Sequence, residues 1–80
     1  MKTYQKEFEL QMFETLDDEV QIEGRLVSTI SELVEHEIFV KSIWIFDETG
    51  CVEINPQTHP KLCELIVDLY REEIIERTYE

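Results

Sequence analysis

The apolar residues of this chain change their period once, and that change dictates the fold class. From residue 3 to about 54 they fall mostly on alternate positions, and from about 60 onward they fall at helical spacing. Tyr4, Phe8, Leu10 and Met12 alternate with Gln5, Glu7, Glu9 and Gln11, and Val20, Ile22, Leu26 and Ile30 alternate with Glu19, Gln21, Glu23 and Arg25. Each run is the signature of a strand buried on one side only, which belongs in an antiparallel sheet. Further on, Leu62, Ile66, Leu69, Tyr70 and Ile74 form a stripe widened by Cys63, Leu65, Val67 and Ile75, leaving Arg71, Glu72, Glu73, Glu76 and Arg77 for solvent. The pattern predicts an α+β fold, an antiparallel β-meander of three to four strands over residues 3–54 with one C-terminal helix over about 60–78 packed on one face. The order is β-β-β-β-α. Eighty residues suit a single domain, 1–80.

The connections set the register. A two-residue turn at Asp17-Asp18 would place Leu10 opposite Arg25 and Met12 opposite Glu23, mixing apolar with polar rows. A three-residue loop from Asp17 to Glu19 instead places Leu16 opposite Val20, Leu10 opposite Leu26 and Gln11 opposite Arg25, so this register is expected. Ser31-Glu32-Leu33-Val34 reads as a turn or bulged crossing. Asp47-Glu48-Thr49-Gly50 reads as a tight hairpin turn with Gly50 free to take a positive φ, and Cys51 to Ile54 as the returning strand. The loop from Asn55 delivers Pro60 to the first turn of the helix.

Within this scheme the stretch Glu-His-Glu-Ile-Phe-Val-Lys-Ser-Ile-Trp-Ile-Phe, residues 35–46, alternates imperfectly. Strict alternation assigns Ile38, Val40, Trp44 and Phe46 to one side and Phe39, Ile43 and Ile45 to the other. The helix then covers Phe8, Leu10, Met12, Val20, Ile22, Leu26, Ile38, Val40, Trp44 and Phe46, using Leu62, Ile66, Leu69 and Tyr70. Phe13, Val27, Phe39, Ile43 and Ile45 remain on the far face. Burying residues of these types is worth about 1.5–3 kcal/mol each, so the far face is expected to be an interface, for a second copy in a homodimer or for a foreign protein.

Charge narrows the kind of partner. Nineteen Asp and Glu against seven Lys and Arg give a formal net charge of -12. That excess disfavours direct contact with nucleic acid or an anionic membrane surface, both of which require cations, and favours a partner with a basic surface. Glu7 and Glu9, spaced about 6.8 Å along their strand, and Glu35 and Glu37 on the third, are expected to form an acidic partner-binding lobe. In size and charge the chain resembles small acidic inhibitors of phages and plasmids, including nucleic-acid mimics and some anti-CRISPR proteins. That resemblance rests on composition and carries over no residue.

No apolar run is long enough to span a membrane and no apolar signal core follows Met1, so a cytoplasmic location is expected. No nucleophile motif or phosphate-cradling loop stands beside His36 or His59, so no catalytic residue and no cofactor are expected. His36, between Glu35 and Glu37, reads as a solvated strand-end residue, with a pH sensor as the alternative. Cys51, His59 and Cys63, spaced C-x7-H-x3-C, offer a weak zinc set; packed thiols are the simpler reading. The features together point to a small acidic non-enzymatic interaction protein, an inhibitor or adaptor that blocks a basic, nucleic-acid-binding partner. The alternative is a structural or regulatory module organised by the Cys/His set.

Overall fold

The computed structural model describes residues 2–13, with the backbone alone at Phe13, and residues 18–79. Four antiparallel strands lie side by side in chain order, β1 (Lys2–Phe13), β2 (Glu19–Ile30), β3 (Val34–Asp47) and β4 (Gly50–Ile54). One helix, α1 (Pro60–Thr78), packs on one face, giving the β-β-β-β-α order that the change of period predicts. Among the described residues no helix is long and apolar enough to cross a membrane.

Local chemistry explains the tight connections. At the β3–β4 hairpin, Asp47 pairs with Gly50, whose φ of 141° only glycine adopts without strain. Asp47 Oδ1 accepts from the Thr49 amide (2.8 Å) and the Thr49 hydroxyl (2.6 Å), and these bonds hold its carboxyl below the usual carboxylate range. Before the helix, Asn55 Oδ1 accepts from the Gln57 and Thr58 amides at 2.9 and 3.0 Å. This side-chain turn leads to His59 at the N-cap and Pro60 as the first helical residue.

The β1–β2 register differs by four residues from the expected one. Leu10 faces Ile22 rather than Leu26, and Met12 faces Val20. A displacement of four is even, so every side chain keeps its face. Alternation fixes that parity and leaves the offset open. The observed offset sets Glu7 opposite Arg25 and moves Glu7 and Glu9 away from the expected Thr29 and Val27. The Phe13–Glu19 pair leaves residues 14–18 for the connection; Leu16 and Asp17, on which the expected turn relied, lie outside the described residues.

The β2–β3 pairing contains the feature that sorts the core. Glu23 faces Ser42 while the next residue, Gly24, faces Val40, so Lys41 is an extra residue in β3, a β-bulge. The bulge resets the alternation. Ile38 and Val40 before it, and Ile43 and Ile45 after it, all turn toward the helix side. Ile43, assigned by strict alternation to the interface, is wholly buried between its strand partners Ile22 and Ile54, and Ile45 packs on the same core. Trp44 and Phe46 move the other way, out of the expected core and onto the open face. Gly24 makes this possible, because a Cβ there would lie 2.2 Å from the carbonyl oxygen of Phe39.

The core consists of Phe8, Met12, Val20, Ile22, Leu26, Ile43, Ile54, Cys63 and Ile74, with Leu10, Ile38, Val40, Ile66, Tyr70 and Ile75 around it. The helix turns a different side inward from the one expected. Cys63, Ile74 and Thr78 are buried, whereas Leu65 and Leu69 are 66% and 73% exposed and Leu62 is also exposed. Apolar residues encircle the first three turns, so periodicity alone does not choose between two stripes. Polar anchors do. Arg77 donates to the Gln11 carbonyl (2.7 Å), Arg71 donates to the His36 carbonyl, and Ser28 Oγ bonds both His36 Nδ1 (2.8 Å) and the Tyr79 hydroxyl.

Two substitutions test this account with opposite signs. Gly24→Ala forces a methyl against a backbone oxygen that cannot swing aside, and is expected to lower stability toward the upper end of about 1–3 kcal/mol, read as a lower urea midpoint. Thr78 Oγ1 is buried and has no hydrogen-bond partner among the described residues. Thr78→Val removes that desolvated hydroxyl at nearly constant shape and is expected to stabilise by about 1 kcal/mol; a lower melting temperature would contradict the packing described.

Candidate functional site

With the helix on one face, the other face of the sheet is the broadest surface on which the predicted site residues can be placed. Cross-strand rows run along it from one end to the other. Thr3, Thr29 and Glu35 share the first row, Gln5, Val27 and Glu37 the second, and Glu7, Arg25 and Phe39 the third. At the bulge Glu9, Glu23 and Ser42 form the fourth, and beyond it Gln11, Gln21, Trp44 and Glu53 form the fifth. Glu19, Phe46 and Cys51 continue the surface at its far end.

The four predicted carboxylates are all on this face but do not form one lobe. Glu7 and Glu9 stand on β1 and Glu35 and Glu37 on β3, two strand spacings away, or about 10 Å. Arg25, Val27 and Thr29 of β2 lie between them. The dense acidic group is instead Glu7, Glu9 and Glu23, which line a shallow hollow at the bulge together with Arg25, Phe39 and Lys41. Glu9 and Glu23 are direct cross-strand partners, a like-charge arrangement that costs stability. Their relief is partial. Gln21 donates to Glu9, and the ammonium of the largely exposed Lys41 lies 3.4 Å from a Glu23 oxygen, a surface pair of small worth.

Apolar area is interleaved with this charge. The Arg25 guanidinium sits 4.7 Å from the centroid of the Phe39 ring, and Trp44 and Phe46 stack with centroids 6.5 Å apart. Of the apolar interface residues predicted, Val27 and Phe39 are on this face. Ile43 and Ile45 are in the core instead, and the side chain of Phe13 lies outside the described residues. Sequence reasoning missed Glu23, Arg25, Lys41, Trp44 and Phe46. The signal was present in the isolated Gly24 within a strand pattern and in the polar pair Lys41-Ser42 interrupting an apolar run, both marks of a bulge.

The other candidates resolve differently. His36 points to the helix side, while its neighbours Glu35 and Glu37 point to the open face, so those carboxylates do not surround its ring. Its contact with Ser28 brings a hydroxyl and an imidazole together, which the sequence did not reveal. The hydroxyl is shared with Tyr79, and the group bridges β2, β3 and the end of the helix. Among the described residues no three His, Cys, Asp or Glu side chains converge as a metal requires. Cys51 is exposed on β4, Cys63 is buried in α1, and His59 bonds Thr58 Oγ1 at 2.9 Å. The proposed Cys51, His59 and Cys63 set is therefore not assembled, since Cys63 is enclosed in the core while Cys51 follows the open-face row of Phe46. Burial pushes the Cys63 thiol pKa up. Cys51 is expected to react promptly with an alkylating reagent in the folded protein and Cys63 only on unfolding, as peptide-resolved mass spectrometry would show.

Comparison with protein-family models, with curated proteins and with solved structures returns no match for this chain.

Proposed function

We propose that this is a small acidic, non-enzymatic interaction protein whose open sheet face docks a basic surface on a partner protein, acting as an inhibitor or adaptor of a protein that otherwise binds nucleic acid. The observation that carries this reading is the direct opposition of Glu9 and Glu23 beside Glu7. Like charges facing each other across strands destabilise the free protein. A partner that brings Lys or Arg against them relieves that cost on binding, so the arrangement favours the complex over the isolated chain. The aromatic and aliphatic groups beside the carboxylates, exposed Phe39 with half-buried Val27, Trp44 and Phe46, supply the apolar contact that charge alone lacks.

The same charge argues against a second copy on this face. Two surfaces carrying Glu7, Glu9, Glu23, Glu35 and Glu37 would be pressed together, within a pair of chains that each carry -12. Ile43 and Ile45 are in the core, and Trp44 and Phe46, which take their place on this face, stand among carboxylates that a second copy would repeat. A basic partner fits this arrangement.

The test is a trade of stability against binding. Glu9→Gln is expected to raise the stability of the free protein by about 0.2–1 kcal/mol while weakening capture of the partner from the source cell. Capture should fall steeply between low and high salt, and the fluorescence of Trp44, the single tryptophan, should change as the partner docks. Capture that is indifferent both to salt and to Glu9→Gln would remove this function.

A further inference from the structure

The sheet has a second unused surface, the upstream edge of β3. The short strand β4 pairs only with Ile43 to Asp47, so among the described residues β3 from Val34 to Val40 has no strand neighbour on that side. The carbonyl of His36 points to this edge, where Arg71 donates to it. Backbone groups alternate along a strand, so the N–H and C=O of Ile38 and Val40 point the same way. This edge also has a wall. A groove runs beside it, bounded by Ile38 and Val40 on one side and by Pro60, Cys63, Val67 and Arg71 of α1 on the other, with Glu37, Glu64 and Asp68 at its rim.

The dimensions and chemistry of the groove agree. From Pro60 to Arg71 the helix extends about 16 Å, and from His36 to Val40 the strand extends about 13 Å, the length of a five-residue extended peptide. Toward the helix the lining is apolar, and the rim is acidic apart from Arg71 at one end. We infer that the open edge of β3 takes an extended peptide segment of the partner as a fifth strand, with apolar side chains against Pro60 and Val67 and basic side chains near Glu37, Glu64 and Asp68. The inference rests on the proposed function for the basic character of the partner; the location and the binding mode are its own. A second copy of this chain is the wrong occupant, because it carries a net charge of -12 toward an acidic rim.

The test uses the full chain labelled with 15N and the blocked peptide Lys-Val-Lys-Val-Lys. Binding should shift the amide signals of His36, Ile38 and Val40 and slow the hydrogen exchange of Ile38 and Val40 at least about fivefold. Strand pairing uses alternate amides, so of two analogues, N-methylated at the valines or at the lysines, one should bind and the other should not. Glu64→Lys combined with Asp68→Lys, both at exposed positions, should weaken binding about tenfold, and the peptide Glu-Val-Glu-Val-Glu should not bind. Equal binding by the two N-methylated analogues would overturn the inference, as would shifts confined to the β1 edge. Shifts confined to Glu7, Glu9, Glu23 and the Trp44 indole would overturn it while leaving the open-face function standing, and absence of any binding of the lysine peptide would count against both.

Discussion

The rest of the sheet depends on the contact between Gly24 and the backbone of Phe39, where there is no room for a Cβ. Only a glycine lets β2 pass β3 there, at the point where β3 accommodates the additional Lys41. Everything downstream inherits the result. The parity reset carries Ile43 and Ile45 under the helix, joins them to Ile22 and Ile54, and exports Trp44 and Phe46 to the open face. Without it β3 would divide its apolar residues between two sides, and the small core would lose its most enclosed strand residue. A single absent methyl thus separates a chain with one well-formed core from one with two incomplete apolar surfaces.

The parts of the structure that were legible from sequence are those governed by local periodicity and turn chemistry. The order of elements, the hairpin closed by Asp47 and Gly50, and the helix beginning at Pro60 all follow from residues a few positions apart. The parts that were not legible depend on a comparison between distant segments. The β1–β2 offset is degenerate in any pattern that alternates cleanly, so Leu10 fits Ile22 as well as Leu26 by that criterion. Which stripe of α1 faces the sheet is likewise undecided while leucines and isoleucines encircle its first turns. There the choice lies with Arg71 and Arg77, which periodicity places on the wet side and which instead reach back to His36 and Gln11, and with Tyr79, which reaches Ser28.

The site was half legible for a related reason. That one face of the sheet would be left open and acidic followed from Glu7, Glu9, Glu35 and Glu37 alternating against apolar residues. That the charge would concentrate around Glu23 did not follow, because it depends on the β1–β2 offset and on the bulge together. Structure and electrostatics meet at this point: Lys41, present because the strand is bulged, is also the cation nearest Glu23. The bulge therefore shapes the hollow and tempers its charge with the same residue.

The insertion also has a genetic side. Because Ile38 and Val40 already face the helix, and Ile43 and Ile45 face it again after one extra position, removing the codon for Lys41 would restore plain alternation with the same four residues inward. A lineage of such chains could gain or lose that codon while keeping its core composition, yet each such event would add or remove the cation beside Glu23 on the outer surface. The strand is built so that its outward message can be rewritten by a single-residue indel and its inward one left unread.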